Sequence, residues 1–234
     1  MDLLKQILSA ILRLVGRNSQ TASQPLLSAP QPRILALDPS NYAERLLAEV
    51  NKAGRMPDDF TPEQEYNGAY GYSALLGPDG KVKATYCNFF VRRVASWFGW
   101  QEWFHQNDDQ ASEITSYMRL NPKIWESLAG VFPYTNVKTK EVTPKSGPDY
   151  EAAAKYASEG QLVIAGWINP DGGGHGHICI IAPEPPANML FSNKWGRKVP
   201  IAVNVGKDNW YGKSLSWAFA IQEPELFRYK GRPA

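Results

Sequence analysis

The sequence predicts an α+β domain, with N-terminal helices packed on one face of a C-terminal antiparallel β-sheet. Three observations carry this expectation. Segments with helical hydrophobic spacing and recognisable caps lie before Gly160. Short β-branched and aromatic runs, separated by Gly, Pro, Asn and Asp turns, lie after it. Of the 234 residues, 43% are hydrophobic and 12% aromatic, enough for one packed core and too much for a disordered chain.

The elements follow in chain order. In "MDLLKQILSAILRLVGR", Leu4, Ile7, Leu8, Ile11, Leu12 and Val15 recur at steps of three and four, which predicts an amphipathic helical segment over residues 1–17. Its apolar face suits docking on its own domain, on a membrane surface or on a partner. Asp2 in the leading region and Arg13 within the apolar stretch make it a poor signal peptide. Residues 18–32 form a Ser/Gln/Pro linker, so the folded domain is expected over 33–234.

A helix is expected from Pro39 to Lys52, stopped by Gly54, then an ordered loop over 55–71 and a Gly-Pro-Asp-Gly turn at 77–80 joining two short strands. A further helix runs through "YCNFFVRRVASWFGW" to Gly99. Residues 100–130 read as helical in pieces: "DDQASEITSYMRL", then a second helix capped by Asn121 with Pro122 at its first position. "GPDYEAAAKYASEG" is the clearest helix, with Asp149 as cap and Gly160 as stop. The runs "QLVIAGWI", "HICIIAP", "VPIAVNV" and "SLSWAFAI" then form an antiparallel meander.

Charge and cysteine usage exclude several functions. A net charge of +2 with interleaved signs gives no electrostatic case for nucleic acid. With 2 cysteines far apart there is neither a disulfide framework nor a CxxC metal knuckle, although a single Cys87–Cys179 bridge is compatible with the count. No apolar run reaches the roughly 18 residues a membrane-spanning helix needs.

The chemistry concentrates in "NPDGGGHGHICIIAP" and in Cys87. The glycines lead into a strand without a Lys-Ser/Thr or xGxxG continuation, which argues against a phosphate cradle. His175 and His177 with Asp171, Cys179 or His105 match no metal-ligand spacing, so neither a metal nor another cofactor is expected. Cys87 stands at the start of its helix behind Thr85, where unsatisfied N–H groups favour a thiolate, and Lys81, Lys83, Arg92 and Arg93 add positive charge. It also shares a face with Val91, Val94, Ala95 and Phe98, so a core role is the alternative. His177, first in its strand, is placed either as a base at the sheet's end or as a hairpin histidine; His175 reads as a turn residue. Asn204, polar in an apolar strand, either orients an imidazole or forms the turn with Gly206.

A helix-borne Cys, a strand-borne His and a polar residue on the next strand is the order found in papain-like peptidoglycan hydrolases of the NlpC/P60 and CHAP type. "YCNFFVRRVASWFGW" resembles the Cys-x-x-Phe-Val-x-x-Val-Ala helix of the amidase effectors injected by type VI secretion systems. "YEAAAKYASEGQLVIAGWINPDGGGHGHICIIAP" resembles the same effectors' Ala-rich helix, Ile-Ala-Gly strand and Gly-His strand. The resemblance spans residues 80–100 and 150–206, and departs at Asn88, where those effectors commonly carry Ser or Gly. It implies a papain-like fold, with Cys87 as nucleophile, His177 as base and Asn204 as third group. The flat faces of Tyr86, Trp167 and Trp195 suit sugar rings or stem peptides in a substrate groove, with core packing as the alternative for each. The implied activity is hydrolysis of a peptidoglycan amide bond in the periplasm or wall of a target bacterium, by an effector or a phage lysin. The implied partners are peptidoglycan and a cognate immunity protein or phage component. A protease or transglutaminase acting on protein, and a non-catalytic phage structural domain, are the competing readings.

Overall fold

The computed structural model describes residues 36–53, 87–100, 111–136, 138–170, 176–206, 209–219 and 222–231. The segments 1–17 and 18–32, the domain start at residue 33, the loop 55–71 and the turn at 77–80 lie outside them. So do Tyr86, His105, Asp171 and His175.

Helices form where capping groups close their ends. Before α1 (Pro39–Ala53), Asp38 Oδ1 accepts from the Asn41 backbone N–H at 3.1 Å. Helix α2 (Cys87–Trp97) ends in a paired closure: Trp100 N–H donates to Ala95 O and Gly99 N–H to Ser96 O, with Gly99 at φ 78°. Helix α3 covers Ala111–Leu120. Helix α4 (Tyr150–Ser158) is capped by Asp149, whose Oδ1 accepts from Ala152 N–H at 2.9 Å, and stops at Gly160, φ 77°.

The strands are β1 (Trp125–Ser127), β2 (Ala129–Thr135), β3 (Val142–Pro148), β4 (Val163–Trp167), β5 (His177–Ile181), β6 (Leu190–Ser192), β7 (Arg197–Val199), β8 (Ile201–Asn204), β9 (Trp210–Ser214) and β10 (Glu225–Tyr229). Six of them make an antiparallel sheet in the order β1-β10-β4-β5-β8-β9. The pairs β2–β3 and β6–β7 are separate hairpins. The fold is therefore α+β with an antiparallel sheet.

Four expectations need correcting. Helices cover both faces of the sheet, not one. Ile164, Ile178, Ile180, Val203 and Phe227 pack with α1–α3, while Val163, Ala165, Cys179, Ile181 and Leu226 pack with α4. The physical reason is legible in the runs themselves: β4 and β5 are apolar at every position after His177, and such strands bury two faces. Asn121 ends α3 instead of starting a helix. Its Nδ2 donates to Tyr117 O and its carbonyl accepts from Ile124 and Trp125, turning the chain directly into β1. The run "SLSWAFAI" does not start a new strand: Ser214 closes β9, Leu215–Trp217 is a 3-10 turn, and residues 220–221 lie outside the described residues. The sheet is not a simple meander either, because β10 returns to lie between β1 and β4.

The end of the sheet that holds β5's last residues is packed with aromatics. Trp100 is fully buried, 5.7 Å from Trp125 and 5.8 Å from Tyr229, ring centre to ring centre. Phe98, just past the end of α2, meets Tyr42 at 5.4 Å. Helix α2 packs against β5, and its first residue, Cys87, belongs to the same buried cluster as Ile178 and Ile180.

Candidate active site

Gly176 explains how His177 comes to open β5. A Cβ there would overlap the Trp167 carbonyl oxygen and lie 2.5 Å from Ser112 Oγ at the start of α3. Only glycine lets the chain pass so close. The backbone then enters the strand with His177 directly opposite Trp167 on β4.

The His177 ring is half-buried and lies on the α4 side of the sheet, the side shared by Cys179. Its centroid is 5.2 Å from that of Phe219, with the rings edge-on at 67°. From β8, buried Asn204 brings Oδ1 to 2.7 Å from His177 Nε2. The amide oxygen accepts, a tautomer assigned from that bond, so Nε2 carries the proton and Nδ1 keeps its lone pair. Burial pushes the His177 pKa below its ordinary 6.5, and the Asn204 bond opposes this in part. The ring is neutral at pH 7, the state a general base requires.

Cys87 is the first residue of α2, is in no disulfide, and is fully buried among Phe90, Val91, Val94 and Ala95. Its cluster includes Ile178 and Ile180, which places it on the α1–α3 side of β5. Thiol and imidazole thus approach the same strand from opposite faces. Cys87 is near enough to Cys179 to reinforce the rise in the Cys179 pKa, which burial alone already drives well above 9.0. Cys179 is in no disulfide either. The imidazole's Nε2 is hydrogen-bonded to Asn204 Oδ1.

The expected groove residues separate. Trp167 is half-buried beside His177, and its Nε1 donates to Gln222 Oε1 at 2.8 Å. Trp195 is buried and stacked on Tyr150, 5.8 Å between centroids at 14°, which is core packing against α4 and not a groove wall. Tyr86 lies outside the described residues. Two contributors were absent from the sequence reading. Phe219 sits in the run read as a strand, and Gln222 follows it; neither has a local pattern that betrays a partner so distant in sequence.

Comparison with protein-family models, with curated proteins and with solved structures gives no match.

Proposed function

We propose that this chain is a cysteine-dependent hydrolase of papain-like fold that cleaves an amide bond in bacterial peptidoglycan. One observation carries the reading: a half-buried His177 held by Asn204 at 2.7 Å, at the end of a strand that α2, the helix of Cys87, packs against. The substrate class rests on the resemblance of residues 80–100 and 150–206 to peptidoglycan amidases, and with it the periplasmic site of action and an immunity-protein or phage partner.

The chemistry follows from the tautomer. His177 Nδ1 takes the Cys87 thiol proton as sulfur attacks the amide carbonyl carbon. The imidazolium so formed donates that proton to the leaving amine as the C–N bond breaks. Water, activated by the same nitrogen, adds to the thioester and expels the sulfur. The backbone N–H of Cys87, at a helix start, would donate to the oxyanion. Cys87 is fully buried and lies across β5 from His177, so the reaction requires the first turn of α2 and the His177 end of β5 to rearrange until thiol and imidazole share one face.

The burial of Cys87 in an apolar cluster favours one second reading, a non-catalytic binding domain. Amine release from purified sacculi separates the two. The hydrolase reading expects release by wild type and none by Cys87→Ala or His177→Ala. Turnover of casein with sacculi left intact would transfer the same residues to a protein substrate.

A further inference from the structure

A groove of about 600 Å3 lies between the β6–β7 hairpin and the turn that follows β9. Its walls carry two aromatic side chains that the fold leaves in solvent, Trp217 at 72% exposure and Phe191 at 56%. Between them stand Asn193, Lys194, Ser214 and Ser216. An exposed Trp forfeits apolar burial that the fold could have used, and flat aromatic faces beside hydroxyls and an amide match the alternating C–H faces and polar edges of sugar rings. Tryptophan and phenylalanine are enriched at protein interfaces but serine and lysine are depleted there, so Lys194, Ser214 and Ser216 between the rings favour a sugar over a protein partner. Its charge is also one-sided. Lys194 lines the groove and Lys213 Nζ lies 5.5 Å from the Trp217 ring centre, while no carboxylate among the described residues lines it.

The groove is tied to the candidate active site. Lys194 Nζ donates to Ser216 O at 2.9 Å and to Phe219 O at 2.8 Å, clamping the turn whose next aromatic, Phe219, packs on His177. A polymer lying over Trp217 would therefore pass the wall of the His177 site on the same face of the sheet.

We propose that this groove is a glycan subsite: Trp217 and Phe191 stack on amino-sugar rings, and Asn193 and Lys213 offer N–H donors to their hydroxyl and acetamido oxygens. The inference rests on the peptidoglycan reading and adds where the strand is held. It is tested with the full chain and glycan strands stripped of stem peptides, by retention on the immobilised strands. Wild type should be retained. Trp217→Ala should bind roughly three- to tenfold more weakly, the worth of one aromatic stack, and Trp217→Tyr should recover most of the loss. Unchanged melting temperatures would show that both variants fold. No retention of wild type, or equal retention of Trp217→Ala, overturns the proposal. Retention that depends on Trp217 without any hydrolysis of sacculi supports the subsite while sinking the hydrolase reading. Hydrolysis that depends on Cys87, with retention indifferent to Trp217, sinks the subsite alone.

Discussion

At His177 the two ring nitrogens have separate tasks, and each task predicts a measurement. Nε2 is committed to Asn204, and that bond is the influence holding the pKa up against burial. Asn204→Ala should therefore move the His177 titration further below 6.5, readable by NMR of the ring protons, and carry the acid limb of kcat/KM to lower pH with it. A titration moving upward would contradict the assigned bond. The same shift fixes a stability slope. The unfolded chain takes up this proton near pH 6.5 and the folded chain only at lower pH, so stability is full above 6.5 and falls as the solution is acidified toward the folded value. His177→Gln should flatten that part of the slope in denaturant titrations. Gly176 belongs to this scale too. Gly176→Ala puts a methyl group against Trp167 O and Ser112, and should cost about 1–3 kcal/mol with a matching fall in melting temperature.

Elements whose signals are local were the ones legible in the sequence. Helix α4 announced itself through Asp149 and Gly160, and both act as read; Asp149→Ala should cost about 1 kcal/mol, measured by urea denaturation. Helix α2 was legible through its apolar face and Gly99. Strands β4, β5 and β8 followed from their β-branched runs. What stayed hidden depends on partners distant in the chain. Strand β10 is only five residues, Glu225–Tyr229, and is a strand because Leu226 and Phe227 fill opposite faces between β1 and β4. The hairpin β2–β3 has largely exposed side chains and so lacks the apolar alternation that marks a strand. Asn121 misled because the same amide that caps a helix start can close a helix end, here by donating to Tyr117 O. The candidate site shows the same division. His177 and Asn204 were visible as polar residues on apolar strands, whereas the Phe219 contact and the burial of Cys87 are tertiary facts.

For the molecule as a whole, burial on both sheet faces makes the central strands the stability reserve that holds the site. Phe227, fully buried on the α1–α3 side, should cost about 3–5 kcal/mol when cut to alanine, enough to weaken folding without touching His177 or Asn204. Such a variant should lose melting temperature while its folded fraction keeps the His177 titration of wild type. The functional account asks more of the whole: α2 must bring Cys87, and β5 with β8 must bring an oriented imidazole, to one end of the sheet, with a glycan held beside them. The measurement that tests this most directly is mass spectrometry of the muropeptides released from purified sacculi by wild type, Cys87→Ala and His177→Ala. Wild type should release fragments with one newly cut amide bond, and neither variant should release any. Release by the variants equal to wild type, or no release by folded wild type, would contradict the hydrolase reading.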